Sequence, residues 1–299
     1  MTPDTPTATN KRRPLMEREW LVVIWTIVRM ALLVYVGFGV LLFFVQGYLI
    51  FPGGSSVHTT PDAYGWNYDD VYVTPEEGES THGWYVETPA EESARGVILF
   101  STGNAGTIAD RMFSIRHFVD LGFDVLIYDY GGFGHSSGRP SERRIYADVQ
   151  AMWDYLTIER DIPPERIALF GRSLGSGASV ELATREEPRA VILESAFLSI
   201  PAVARTIFPF FPTNLMVRHR FDNEAKIEAL TMPKFFIHSP GDEIIPYEQG
   251  RALYDMAPEP KQFLEIEGGH NDGFIISTRD YEAGLANFLH PLFPLGEEQ

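Results

Sequence analysis

The sequence contains no cysteine among its 299 residues. Disulfides, thiol nucleophiles and zinc–thiolate sites are thereby excluded, and the absence is compatible with either redox compartment. Basic residues are scarce: 24 Lys and Arg stand against 41 Asp and Glu, for a formal net charge of −17. This balance argues against nucleic acid as a partner, because phosphate binding needs a basic surface. The scarcity is uneven. Lys11, Arg12, Arg13 and Arg18 lie near the N-terminus, Arg29 follows, and no Lys or Arg appears again until Arg95. Five basic and three acidic residues lie at or before Arg29, so the remainder holds 19 basic and 38 acidic, a net of −19. That describes a solvated surface, and it gives no sign of a second, electrostatic attachment to anionic lipid. Internal repeats are also missing, and 13% aromatic content argues against disorder outside the termini.

One long apolar run is present. Leu21 to Val45 is 25 residues with a single charge, Arg29. As a helix it spans the roughly 30 Å hydrocarbon core, with Arg29 placed to snorkel toward the basic side. A buried core helix would be apolar on one face rather than all round. A cleaved signal peptide would be shorter and would carry a small-residue site, which Gln46 to Pro52 lacks. The expected organisation is a disordered cytoplasmic tail over residues 1–19, a transmembrane signal anchor over 20–51 and a folded domain over 52–299. Basic residues before the run place the N-terminus in the cytoplasm and the bulk of the chain across the membrane.

Beyond the anchor, short apolar runs alternate with helical stretches. Strands are expected at Val71–Val73, Gly83–Val86, Gly96–Phe100, Asp124–Tyr128, Ile167–Phe170, Ala190–Glu194, Lys234–His238 and Gln262–Ile266. Helices are expected at Ile108–Leu121, Ser141–Glu159, Ala178–Ala183, Tyr247–Met256 and Thr278–Leu289. The pattern predicts an α/β fold with a mostly parallel sheet flanked by helices. Residues 196–232 break the alternation and contain Phe208-Pro209-Phe210-Phe211-Pro212, which predicts a short cap over the strand ends.

Gly171-Arg172-Ser173-Leu174-Gly175 has the form G-x-S-x-G between an expected strand and an expected helix. In that setting the motif is a nucleophile elbow: glycines let strand and helix approach while the serine sits exposed on a strained turn. A serine nucleophile needs a base and an acid that orients it, in the chain order Ser, Asp or Glu, His. Asp242 follows one late strand and His270 the next, so the expected triad is Ser173, Asp242 and His270. Glu243 and Glu194 compete for the acid, with Glu194 as the fallback; His238, His135 and His117 compete less well for the base. The expected oxyanion donors are the backbone N–H groups of Leu174 and of Asn104, in the loop Ser101-Thr102-Gly103-Asn104-Ala105-Gly106.

Together these segments resemble the membrane-anchored serine hydrolases of the α/β-hydrolase superfamily. More narrowly, the chain looks like the single-pass group that includes bacterial hydrolases and eukaryotic protein depalmitoylases. The resemblance is carried by the anchor with Gln46 and Ile50-Phe51-Pro52, and by Gly103 to Gly106. It is also carried by Asp129 to Gly134 with Ser136 to Glu142, Gly171 to Gly177, Asp242 with Ile245-Pro246, and Gly269 to Asp272. One departure is Thr102, where the family usually has His. The glycine-rich stretch from Asp129 lacks the Gly-Lys-Ser/Thr ending of a phosphate loop, and the family treats it as structural. The resemblance implies hydrolysis of an acyl ester or thioester, lipid-like given the anchor, through an acyl-enzyme with no metal or organic cofactor. Phe208, Phe210 and Phe211 are the expected apolar contacts for the acyl group. A serine aminopeptidase on the same triad, or a non-catalytic membrane scaffold, are the competing readings. A short cap disfavours the first and an intact triad the second.

Overall fold

The computed structural model describes residues 15–75, 79–89 and 94–295. The expected tail lies outside these up to residue 14, as does part of the acidic loop between the first two strands. The chain packs as two units, one ending at Gln46 and one beginning at Gly47.

The first unit is most of helix α1, Leu15–Ile50. Its segment Glu19–Ile50 has mean hydropathy 2.3 and is long and apolar enough to cross a membrane. At 1.5 Å per residue those 32 residues extend about 48 Å, beyond the roughly 30 Å a span requires. Trp25, Leu33, Val34 and Phe44 are exposed on it, so its apolar surface is not confined to one narrow face.

The second unit begins with the last turn of α1 and builds an eight-stranded sheet. Two strands open it, β1 (Tyr68–Val73) and β2 (Thr81–Val86), followed by β3 (Val97–Ser101). Helix α2 (Met112–Asp120), strand β4 (Asp124–Tyr128) and helix α3 (Glu142–Asp154) come next. Then follow β5 (Ile167–Arg172), α4 (Leu174–Ala183) and β6 (Ala190–Glu194). The cap contributes α5 (Ile200–Ile207) and α6 (Thr213–Met216). The chain closes with β7 (Lys234–His238), α7 (Tyr247–Met256), β8 (Lys261–Glu265), α8 (Gly273–Ile276) and α9 (Thr278–Leu289). The order is β1-β2-β4-β3-β5-β6-β7-β8. β1 and β2 join antiparallel, and every pair from β4 onward is parallel.

The near-continuous apolar strands have a simple cause. Each central strand is covered on both faces, so its odd and even residues enter two different cores. Leu99, Leu126, Leu169 and Leu193 pack with α3 and α4 on one face. Phe100, Ile127, Phe170 and Ile192 pack with α2 and α9 on the other.

Element boundaries depart from expectation where local geometry changes. A 3₁₀ turn, Ile108–Arg111, precedes α2, and a π-helical turn, Tyr155–Glu159, ends α3. α4 begins at Leu174, four residues earlier than expected, because the elbow passes directly into the helix. β8 spans 261–265 rather than 262–266, and as the edge strand it is only partly buried.

Candidate active site

The elbow is built by close backbone approach. Ser173 has φ 52° and ψ −119°, a strained conformation for a residue with a side chain. A Cβ at Gly171 would lie 2.5 Å from the Gly175 carbonyl and 2.6 Å from Ser179 Oγ, and one at Gly175 would collide with the Ser101 carbonyl. Both flanking glycines are therefore required by packing. The turn is held by Ser173 N–H donating to Glu194 O at 2.9 Å and Ser176 N–H donating to Ser173 O at 2.9 Å.

The parallel register brings the loops after β5, β7 and β8 to one edge of the sheet. His270 Nδ1 lies 2.8 Å from Asp242 Oδ2, and His270 Nε2 lies 3.0 Å from Ser173 Oγ. An ionised carboxylate only accepts, so Nδ1 carries the proton and Nε2 is free to accept from the serine hydroxyl. Ser173, Asp242 and His270 are 8%, 8% and 7% exposed, which shields the pairs while leaving the serine reachable.

Asp242 is held from several sides. Its Oδ1 accepts from the N–H groups of Ile244 at 3.0 Å and Ile245 at 2.8 Å. His238 Nε2 lies 3.3 Å from Oδ2 and 3.1 Å from the Ile245 carbonyl. Both neighbours are acceptors, so His238 donates from Nε2. Burial alone would raise the Asp242 pKa; the hydrogen bonds from His238 and His270 outweigh it and hold this carboxyl far below its usual range. His238, a competing base by sequence, instead donates to the acid.

The other competitors are committed elsewhere. Glu194 is buried, with Oε1 3.3 Å from Arg172 Nε and Oε2 accepting from Tyr281 Oη at 2.7 Å. Arg172 also donates to the His270 carbonyl at 2.9 Å and lies over the Phe274 ring at 4.2 Å. Glu243 accepts from His270 N–H at 3.0 Å. The loop bearing His270 is therefore gripped at both its backbone N–H and its carbonyl. His117 in α2 pairs with Glu282 at 2.8 Å, and the His135 ring lies tilted against His82, with centroids 5.0 Å apart. Arg172 and Tyr281 are absent from the sequence-predicted set, and Glu243 enters it only as a competing acid, not as a holder of the His270 backbone. Arg172 is the variable residue just before the serine, and no local pattern links it to Glu194.

Leu174 N–H opens α4, where the first amides have no partner within the helix. Gly103 crosses the elbow closely enough that a Cβ there would lie 3.8 Å from Ser173 Cβ. The neighbouring Asn104 turns its side chain away to donate to Ile50 O at 2.8 Å, and its carbonyl accepts from Gly53 N–H at 3.2 Å. Beneath Thr102, the Tyr130 hydroxyl donates to its carbonyl at 2.6 Å. In the cap, Phe208 and Phe211 are half-buried and meet edge to face at 6.5 Å, while Phe210 is 85% exposed. Among the described residues no cluster of three or more His, Asp or Glu is arranged to hold a metal ion.

Residues 92–223 match the serine aminopeptidase S33 family of hydrolases. The Mycobacterium tuberculosis H37Rv protein Rv2307c is 32% identical over 229 residues, covering 76% of this chain and 81% of that one. The Escherichia coli K12 protein YfhR is 30% identical over 232 residues, covering 75% and 81%. Among solved structures, the Pyrococcus furiosus esterase Pf2001 superposes with TM-score 0.67 at 18% identity, covering 81% of this chain and 98% of its own. At that identity it testifies to the fold alone. The chain belongs to the α/β-hydrolase superfamily, a class of hydrolases built on this sheet.

Proposed function

We propose that this protein is a membrane-anchored serine hydrolase that cleaves carboxylic ester or thioester bonds. The single observation that carries the reading is the linear relay Ser173 Oγ to His270 Nε2 at 3.0 Å and His270 Nδ1 to Asp242 at 2.8 Å. Ser173 Oγ attacks the acyl carbon as its proton passes to His270, giving a tetrahedral oxyanion. Asp242 stabilises the imidazolium, which then protonates the leaving alcohol or thiol. Water, deprotonated by His270, attacks the acyl-enzyme; the Ser173 Oγ–acyl bond breaks as His270 returns the proton to Ser173, and the acid is released. The amides of Leu174 and Asn104 are the proposed oxyanion donors, each worth ~10²–10³ in rate. Phe208, Phe210 and Phe211 form an apolar surface for a lipid-like acyl group. α1 holds the enzyme in the bilayer with its N-terminus cytoplasmic and residues 52–299 across the membrane.

A fluorophosphonate probe should label the folded protein and fail on Ser173→Ala; an unlabelled wild type would sink the proposal. Hydrolysis of p-nitrophenyl esters should rise with acyl length, and a preference for acetate would remove the lipid-like substrate. Protease added outside intact spheroplasts should reach the domain, and full protection would reverse the orientation. The family match over residues 92–223 favours a second reading, aminopeptidase activity. Faster turnover of aminoacyl amides than of matched esters would select it.

A further inference from the structure

The first part of the cap, residues 196–221, differs from the rest of the molecule in the sign of its charge. From Ala196 to Phe221 there are three basic residues, Arg205, Arg218 and Arg220, and no acidic one, in a chain of net charge −17. The same segment exposes large apolar side chains: Ile207 is 61% exposed, Phe210 85% and Leu215 85%. Arginines interspersed with exposed aliphatic and aromatic groups are the composition of an element that lies in a membrane interface. The apolar groups enter the acyl boundary while the guanidinium groups stay with anionic headgroups.

Connectivity puts this segment at a bilayer. Phe51, the first residue after α1, packs its ring against His219 at 5.0 Å and Phe221 at 6.2 Å. One residue earlier, the Ile50 carbonyl is held by Asn104 of the loop that crosses Ser173. The chain thus leaves the apolar helix between the cap and the candidate oxyanion loop. The cap has a fixed mounting on the hydrolase fold. Glu142, at the start of α3, accepts from the N–H groups of Arg220 at 2.6 Å and Phe221 at 2.8 Å. Thr213 Oγ1 donates to Pro201 O at 3.0 Å, and Asn223 Nδ2 donates to Phe197 O at 3.0 Å.

We propose that residues 205–220 are a bilayer-docking surface: Ile207, Phe210 and Leu215 insert into the acyl boundary, and the exposed Arg205 and Arg218 engage anionic lipid headgroups, while Arg220 is held by Asp222 at 3.5 Å. The overall acidity of the chain conceals this second, electrostatic attachment, because the opposite charge is gathered in one segment. The docked cap would present the candidate nucleophile to acyl groups anchored in the same leaflet. The inference rests on the anchor in the proposed function and is independent of the chemistry.

The absence of cysteine makes the test direct. Single-cysteine variants Phe44→Cys, Leu215→Cys and Ile158→Cys, each in full-length Ser173→Ala protein, carry an environment-sensitive NBD label. Phe44 lies in the apolar helix, and Ile158 is 75% exposed in the π-helical end of α3, 16 residues beyond Glu142 and about 24 Å along the helix axis. In nanodiscs of phosphatidylcholine and phosphatidylglycerol with brominated acyl chains, labels at 44 and 215 should lose most of their fluorescence and the label at 158 should keep it. Aqueous iodide should do the reverse. A label at 215 that iodide quenches as it does 158 overturns the proposal, as does one shielded from both quenchers, which would mean a protein partner. Lack of bromine quenching at 44 overturns the anchor itself, and the docking surface with it. In phosphatidylcholine alone, quenching at 215 should fall severalfold with 44 unchanged; equal quenching in both lipids removes the role of the arginines.

Discussion

Two adjacent strands, β6 and β7, each deliver a carboxylate to the edge where His270 sits, and the two groups have opposite environments. Asp242, in the loop after β7, meets two histidine N–H groups and two backbone amides. Glu194, the last residue of β6, meets a guanidinium and a phenol, and reaches His270 only through Arg172 and a backbone carbonyl. The first arrangement fixes a tautomer; the second fixes a loop. Asp129, just after β4, is a third case. Its Oδ1 accepts from Ile108 N–H, and Oδ2 has no hydrogen-bond partner. Burial pushes its pKa up to about 7, against the Ile108 N–H and the Arg111 guanidinium, which pull it down. Carboxylates at equivalent strand ends thus differ in role because their donors differ.

Substitution sharpens this contrast. The largest effect is expected from Asp242→Asn, which keeps the shape but favours the wrong histidine tautomer. Ester turnover should fall ~10⁴-fold with fluorophosphonate labelling slowed in parallel. Glu194→Gln should instead act mainly on stability. An uncompensated buried Arg172 costs about 3–5 kcal/mol in denaturant unfolding, while kcat drops by at most ~10²-fold through displacement of His270. If Glu194→Gln matched Asp242→Asn in turnover without loss of stability, Glu194 would be the acid and the contrast would collapse.

Smaller still is Asn104→Ala. The backbone N–H survives, and only the bond to Ile50 O is lost, about 1 kcal/mol or some fivefold in kcat with KM little changed. An effect of ~10³-fold would mean that the side chain itself binds the oxyanion.

The mildest case is Asp129→Asn, and its sign depends on pH. A carboxyl whose folded pKa is raised contributes stability that is full below its unfolded value, near 3.9, and is lost as pH rises toward about 7. Asparagine at this position does not ionise, so the substitution should raise the melting temperature at pH 8 relative to its effect at pH 4. Asp242 has the reverse linkage. Its lowered pKa adds stability above the unfolded value that disappears as pH falls below it. A uniform response to pH in both variants would show that the two environments are alike.

Much of this was legible locally. The strand cores at 97–100, 124–128, 167–170, 190–194 and 234–238 announce themselves because burial on both faces demands continuous apolar residues. The turn at Ser173 is readable because no other residue type fits at Gly171 and Gly175. The helix expected at 141–159 was legible to its end; only the π-helical form of its last turn, Tyr155–Glu159, leaves no periodic signature. The Arg172–Glu194–Tyr281 grip was not legible at all, since its members lie on β5, β6 and α9 and meet only through packing. The same holds for His238, which sequence ranks as a poor base and structure sets on the acid.

What the sequence determined by itself was everything governed by period, sterics and order along the chain. That covers an apolar helix long enough to span a bilayer, the α/β alternation, the strained serine turn, and Asp242 and His270 on successive loops. Tertiary structure decided the rest: which carboxylate touches the histidine, which nitrogen of His270 faces the serine, and that the cap and the Asn104 loop both hold the exit of the apolar helix. The physical reason is range. Periodicity and backbone strain act over a few residues, whereas a hydrogen bond across 28 or 97 positions exists only once parallel strands have brought their ends to one edge.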